Sequence, residues 1–293
     1  TGSVTISGTP TEDQVLTAAN TLADEDVLGT ITYTWSNGDT GATTTLGQSD
    51  VGNAITVTAS YTDGQGTAES EVSSATGVVA NINDSPSITS TGGTSATEDS
   101  AYSYSITTSD EDGSSLDSWT ITCTTCPGWL SITHTTGAST ATLSGTPLDA
   151  NVGSNSVTIQ VADAAGATAT ESFTITVANS NDAPSISSTA VTSVDEDSSY
   201  SYSITTSDDD SDSSDTWTIS SSTVSWLTMT HTAGASTATL AGTPANGDVG
   251  SHSVTVTVAD AAGATDTETF SIAVANTNDA PTISSTAITS ATE

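Results

Sequence analysis

The peptide Asn-x-Asn-Asp-x-Pro occurs three times, at Asn81–Pro86, Asn179–Pro184 and Asn276–Pro281, at intervals of 98 and 97 residues. That interval is the size of one small domain, so the motif marks joints in a string of similar modules. Each joint is rich in oxygen ligands. Asn carbonyls and Asp carboxylates suit a hard cation such as Ca2+, and the closing Pro stiffens the exit.

Charge narrows the possibilities further. The chain has 35 acidic residues and no Lys or Arg, a formal charge of −35. Without basic side chains it has no means of gripping nucleic-acid phosphates or anionic lipid surfaces. No carboxylate can find a Lys or Arg partner, and unrelieved repulsion of this size opposes a compact state. Bound divalent cations would relieve it; the plainer alternative is that charge only keeps a fibre soluble. No apolar stretch is long enough to span a membrane and no secretory leader is visible. The sequence reads as a segment of something longer.

Aligned on itself, the chain falls into repeats near 1–85, 86–183 and 184–280, then a stub at 281–293 that reads as the first strand of a further repeat or as a donor strand. The second and third repeats are close relatives. Tyr102-Ser-Tyr104-Ser-Ile106 returns as Tyr200-Ser-Tyr202-Ser-Ile204, Trp119-Thr-Ile121 as Trp217-Thr-Ile219, and Gly145-Thr-Pro147 as Gly242-Thr-Pro244. Within a repeat the apolar period is two: Val157, Ile159 and Val161 share one face, as do Phe173, Ile175 and Val177. Ser and Thr fill the outward positions, where β-branched Thr suits a pleated surface. About seven short strands per hundred residues, broken by Gly, Asp and Pro turns, predict tandem antiparallel Ig-like β-sandwiches in an elongated, all-β rod. Trp35, Trp119 and Trp129 are expected in the cores, with ligand stacking as the alternative for Trp119 and Trp129. Repeat one follows a different pattern and reads as the same architecture from another subfamily. Cys123 and Cys126, with no second ligand pair for zinc and no counterpart in Ser220–Ser225, predict a local loop disulfide in an oxidising, extracellular setting.

Four acidic groups recur. Glu12-Asp13, Glu98-Asp99 and Glu196-Asp197 precede a strand; Asp24-Glu-Asp26, Asp110-Glu-Asp112 and Asp208-Asp-Asp210 follow one. Asp63, Asp163 and Asp260 sit in strand-ending turns, and the Asn-x-Asn-Asp joint is the fourth. Acids one residue apart in a loop can turn toward one ion while carbonyls complete a shell of oxygens. An EF-hand reading of Asp208, Asp210 and Asp212 fails, because Ser213 stands where Gly belongs and Ile219 where Glu belongs. His134, His231 and His252 are isolated, and no nucleophile–base pair is tied to a cleft motif, so the chain does not read as an enzyme.

Val161-Ala-Asp163-Ala-Ala-Gly166, followed by Ile175-Thr-Val177-Ala-Asn179-Ser-Asn181-Asp182-Ala-Pro184, resembles the end of a cadherin repeat. With the Gly-Thr-Pro and Asp-Val-Gly elements, the chain resembles the cadherin-like and Ig-like (dystroglycan-type) tandem repeats of large bacterial surface proteins and adhesins. The resemblance implies Ca2+ at the joints. It implies that joint one uses Glu12, Asp13, Asn81, Asn83, Asp84, Asp110, Asp112 and Asp163, and joint two Glu98, Asp99, Asn179, Asn181, Asp182, Asp208, Asp210 and Asp260. A third joint would have Glu196, Asn276, Asn278 and Asp279. The mid-repeat Asp-x-Glu pair of cadherins is absent, although Asp149 and Asp248 lie in that region, which implies fewer ions per joint. The expected role is a Ca2+-stiffened extracellular fibre or adhesin stalk at the cell surface, with neighbouring repeats of the same or identical chains as partners. Two other readings stay open: a carbohydrate-binding module for cell-surface glycans, and a filament subunit whose stub adds a strand to a neighbour.

Overall fold

Alternation of apolar and hydroxyl side chains builds the long strands of this chain. The computed structural model describes residues 2–113, 119–210, 218–222 and 224–291. It divides into two compact units, Thr1–Ala178 and Asn179–Glu293. Trp217, Asp212, Ser213 and the last two stub residues lie outside the described residues.

The first unit holds two sandwiches. In the first, β1 (Val4–Ser7), β2 (Val15–Asn20) and β4 (Thr43–Thr45) form one antiparallel sheet. The other comprises β3 (Thr32–Trp35), β5 (Val57–Thr62) and β6 (Ala68–Val72). Trp35, Leu16, Leu46, Ile55 and Val57 fill the space between them. The second sandwich runs β7 (Ser87–Ile88), β8 (Ser95–Thr97), β9 (Tyr102–Ser109), β10 (Thr120–Thr125), β11 (Leu130–His134), β12 (Thr140–Gly145), β13 (Gly153–Ala162) and β14 (Thr168–Ala178). Its sheets are ordered β10-β13-β14-β8 and β11-β12-β9-β7, antiparallel except that β8 pairs parallel with the end of β14.

The second unit repeats this plan with β15 (Ser185–Ile186), β16 (Ser193–Asp195), β17 (Tyr200–Ser207), β18 (Thr218–Ser221), β19 (Leu227–His231), β20 (Thr237–Gly242), β21 (Gly250–Ala259) and β22 (Thr265–Ala275). Its sheets are ordered β15-β17-β20-β19 and β16-β22-β21-β18. The register is also repeated: Tyr102 faces Gly145 as Tyr200 faces Gly242.

Tyr104, Ile106, Trp119, Ile121, Ile159 and Ile175 are buried in the second sandwich, each removing apolar surface worth about 1.5–3 kcal/mol from water. Trp129 and Trp226 are half-buried at the core margin, where they meet Tyr102 and Tyr200 edge-on at 5.9 and 5.7 Å. Gly145 and Gly242 make that margin possible. A Cβ there would stand 1.9 Å from the Trp129 or Trp226 carbonyl oxygen. Two residues on, the carbonyls of Pro147 and Pro244 accept the backbone N–H of Asp99 and Asp197, so the Gly-Thr-Pro motif ties the core edge to an acidic turn.

The longest strands of the second and third sandwiches keep charge off their outer faces, whereas β6 exposes Glu69 and Glu71. Outward positions of β13 and β14 are Ser154, Ser156, Thr158, Gln160 and Ala162, then Thr168, Thr170, Ser172, Thr174, Thr176 and Ala178. Hydroxyls pair across strands, as in Thr158–Ser172 at 3.0 Å and Thr255–Thr269 at 3.0 Å. The carboxylates of Glu171, Asp266 and Glu268 take inward positions instead. There Glu171 accepts from the Tyr104 hydroxyl at 2.7 Å and Glu268 from Tyr202 at 2.8 Å. Burial and the neighbouring Glu171 push the Tyr104 hydroxyl up to about 12.

Cys123 and Cys126 are paired as a disulfide that brackets a register shift between Cys123 and Thr125 on β10. Residues 281–291 form no strand and are exposed, Ile283 and Ile288 almost fully.

Candidate metal centre

Chain direction brings the acids together at the ends of the sandwiches. Glu12 precedes β2, its N–H donating to the Ala80 carbonyl, so its side chain reaches the segment that leaves the first sandwich. The carboxylate is 2 % exposed and accepts the Ile82 N–H at 3.1 Å. From the second sandwich, the loop after β9 supplies Asp110 and Asp112, and the turn between β13 and β14 supplies Asp163.

The linker stitches these pieces together within the first unit. Asn81 donates through Nδ2 to Asp112 Oδ1 at 2.6 Å, and Asn83 through Nδ2 to Asp163 Oδ2 at 2.9 Å. The Asp84 N–H donates to Asp112 Oδ2 at 2.8 Å. Carboxylate oxygens of Glu12, Asp84 and Asp112 lie within 4.8 Å of one another. Asp110 accepts the Asp112 N–H at 3.1 Å through Oδ1, while its buried Oδ2 has no hydrogen-bond partner.

These contacts split the acids electrostatically. Burial raises the Glu12 carboxyl above its ordinary range, and the charges of Asp84, Asp112 and Asp13 raise it further against the opposing Ile82 N–H. Asp84 is raised by burial and by Asp112, Asp13 and Asp110. Asp163 moves the other way. The Asn83 amide and the backbone N–H groups of residues 165–167 hold it low despite burial. The arrangement is a strained acceptor cluster beside a satisfied anchor.

The second unit carries the same half-site. Asn179 donates to Asp210 Oδ1 at 2.8 Å and Asn181 to Asp260 Oδ2 at 2.8 Å. The Asp182 N–H bonds Asp210 Oδ2, and Asp208 Oδ1 accepts the Asp210 N–H at 3.2 Å. Asn181 and the backbone N–H groups of residues 262–264 hold Asp260 low. At its other end, buried Glu196 accepts the Thr277 N–H at 2.7 Å through Oε1, repeating the Glu12–Ile82 contact, and its Oε2 is buried without a partner. Asn276, Asn278 and Asp279 are exposed there, with both Asn amides turned to the local backbone. Glu98, 2 % exposed in the first unit, donates its N–H to the Ala178 carbonyl at the end of β14.

Asp13, Asp99 and Asp197 carry a second role that the sequence does not display. Each has φ near +60°, a left-handed conformation that Asp tolerates better than bulkier residues. Each therefore shapes the turn that aims the preceding Glu.

Two residues missing from the sequence-based ligand sets lie at the buried glutamates. Gln48 and Asp149 each open a short 3-10 turn, Gln48–Asp50 and Asp149–Asn151. With its amide nitrogen turned to Glu12, Gln48 donates at 2.6 Å to Oε1, at 3.2 Å to Oε2 and at 3.2 Å to Asn81 Oδ1. Asp149 brings a carboxylate oxygen within 4.8 Å of Glu98. A spacing signal existed: both stand two residues before an Asp- or Asn-Val-Gly tripeptide, at Asp50-Val51-Gly52 and Asn151-Val152-Gly153. A further acid group, Asp24, Asp63 and Glu69, lies within 4.8 Å in the first sandwich, where Glu69 accepts from and raises the buried Tyr61 hydroxyl.

The Putative Ig domain model matches residues 85–178 and 183–275. No curated protein matches the chain. Among solved structures, the endo-fucoidan hydrolase MfFcnA4 of glycoside hydrolase family 107 is similar at 22% identity over 94% of this chain and 39% of that one, with a TM-score of 0.32. The EC1-4 fragment of PcdhgB3 is similar at 13% identity, over 95% of this chain and 72% of that one, TM-score 0.48. The human Desmocollin-1 ectodomain is similar at 15%, over 92% and 59%, TM-score 0.42. The chain spans about two fifths of the length of the hydrolase. Among the described residues no helix is long and apolar enough to cross a membrane.

Proposed function

We propose, from the premise that the chain belongs to the Putative Ig domain family, that it is a segment of an extracellular fibre or adhesin stalk stiffened by Ca2+ at its joints. The carrying observation is the partnerless, buried Oδ2 of Asp110 beside the Glu12–Asp84–Asp112 carboxylates. Natural interiors rarely leave such an atom unmatched, and no Lys or Arg exists to match it. The donor set is all oxygen, which fits a hard divalent cation. Glu12, Asp84, Asp110 and Asp112 would hold it, with Asp13, Asn81, Asn83 and Asp163 shaping or completing the site. The bound ion supplies positive charge that offsets carboxylate repulsion.

Placement of the acids favours this reading over charge for solubility alone. A chain charged only for solubility would carry carboxylates on its broad strand faces, whereas β13, β14, β21 and β22 show hydroxyls there and hold their carboxylates inward. The same reading assigns Glu98, Asp99, Asn179, Asn181, Asp182, Asp208, Asp210 and Asp260 to a second joint, and Glu196, Asn276, Asn278 and Asp279 to one wall of a third. Small-angle scattering with Ca2+ and then with chelator tests it. The expected result is a longer maximum dimension with Ca2+; an unchanged dimension would sink the stalk reading.

A second reading draws on Pro281–Ala291, which repeats the sequence pattern of Pro184–Val194. Ile186 packs on the core of the third sandwich, while its counterpart Ile283 is exposed. The segment therefore has the pattern of a first strand for another sandwich, in a following repeat or a neighbouring chain. Deleting it is expected to abolish end-to-end association while leaving the sandwiches folded. Association that persists after the deletion would count against strand addition. Trp129 and Trp226, engaged with Tyr102 and Tyr200, offer little free ring for a glycan.

A further inference from the structure

We infer that Gln48 is a reversible amide switch at the first joint: it donates to Glu12 when no cation is bound and turns its oxygen inward as a ligand when one is. The inference rests on the Ca2+ reading above. Its basis is the environment of the amide, which faces only acceptors: both Glu12 oxygens and Asn81 Oδ1, at 2.6, 3.2 and 3.2 Å. An amide has two faces of opposite character, and its neighbours decide which one points in. With nitrogen inward, one half-buried side chain satisfies a glutamate that is 2 % exposed. With oxygen inward, several oxygens converge with no amide hydrogen between them, an arrangement that a bound cation would hold together.

Position supports the assignment. The 3-10 turn fixes Gln48: the Asp50 N–H donates to Gly47 O, and Asp50 Oδ2 accepts the Gly47 N–H at 3.1 Å. The corresponding turn of the second sandwich places a carboxylate, Asp149, near buried Glu98. Asp149 has no such switch, since a carboxylate only accepts. Gln48 therefore gives the first joint a cation-free form with a satisfied glutamate, at the expense of one negative charge in the loaded form.

Two variants of the full chain test this, Gln48→Ala and Gln48→Glu. Thermal unfolding in chelator is read alongside Ca2+ titration followed at the Gln48 and Asn81 side-chain amide NMR signals. Gln48→Ala is expected to lower the chelated unfolding midpoint of the first sandwich by about 4 °C or more and to weaken Ca2+ binding several-fold. Gln48→Glu is expected to destabilise the chelated form and to tighten Ca2+ binding by about tenfold, as added ligand charge does. An unchanged chelated midpoint in Gln48→Ala would overturn the donor state. Equal or tighter Ca2+ binding by Gln48→Ala would overturn the ligand state. Absence of Ca2+ binding in the wild-type chain would overturn the joint reading itself, whereas wild-type binding with unresponsive variants overturns the switch alone.

Discussion

Asn83 donates to Asp163 across 80 positions of sequence, and Asn181 repeats the bond to Asp260 across 79. Each bond locks a linker asparagine onto the acid of a strand-ending turn. In both, the amide favours the charged form of the acid. The folded carboxyl is depressed, so its contribution is present above the unfolded value of 3.8 and is lost as pH falls through the folded one. Glu12 and Asp84 have the opposite sign. Their folded values are raised above 4.5 and 3.8, so their contribution is present below those values and is lost as pH rises through the folded ones.

The two signs predict a pH optimum for the cation-free chain. In chelator, thermal stability should rise as pH falls toward 4.5 through the raised Glu12 and Asp84 titrations, and drop again as pH falls below 3.8. Saturating Ca2+ should erase the rise, because the cation already screens the same charges. Scanning calorimetry across pH, with and without Ca2+, measures both curves.

Val27 follows Asp24-Glu25-Asp26 as Gly113 follows Asp110-Glu111-Asp112. Their φ angles are 77° and 78°, so Val27 holds a conformation that suits glycine. Its side chain is 73 % exposed and has little packing to lose. Val27→Gly should therefore stabilise the first sandwich by about 1 kcal/mol, read as a shift in denaturant midpoint.

Gly145→Ala and Gly242→Ala should do the reverse. The new methyl would meet a backbone carbonyl at 1.9 Å, which cannot rotate away. A loss of about 3 kcal/mol is expected in the affected sandwich. Because the Gly-Thr-Pro segment also carries the carbonyl that holds Asp99 or Asp197, the neighbouring acidic turn should show faster amide exchange.

The Trp129 indole N–H donates to Asn155 at 3.1 Å, whereas the Trp226 indole nitrogen is buried without a partner. His252 stands in the position of Asn155, spending its Nε2 on the Asp248 carbonyl and meeting Trp226 only ring to ring. Asn155 reaches both, since its Nδ2 donates to the Asn151 carbonyl. His252→Asn should supply the absent acceptor and stabilise the third sandwich by about 1 kcal/mol, measured by chemical denaturation.

The β-sandwich architecture was legible because Val157, Ile159, Val161 and their repeats alternate strictly, and burial follows alternation directly. The linker bonds were less visible. Nothing in Asn83 or Asp163 alone shows that they meet, and only self-alignment puts both at recurring positions. Gln48 escaped notice because it is neutral where its counterpart is Asp149, and ligand reasoning weighs charge first. The left-handed turns at Asp13 and Asp99 were not legible, because a carboxylate hides a backbone requirement. Trp119 and Trp129 carry the same sequence signal, although Trp119 is buried and Trp129 packs half-buried against the same core.

The second sandwich presents Asp110, Asp112 and Asp163 at one end of β14 and Glu98 at the other. On the proposed reading, each repeat would thus carry a plug and a socket that are not interchangeable. Duplicating one repeat in the gene, cut at the Asn-x-Asn-Asp-x-Pro peptide, would copy both parts in the right order, so the array can lengthen without inventing a new interface. Reversing or shortening a repeat would leave two plugs or two sockets facing each other. On that reading, inheritance by whole units would be built into the placement of these acids.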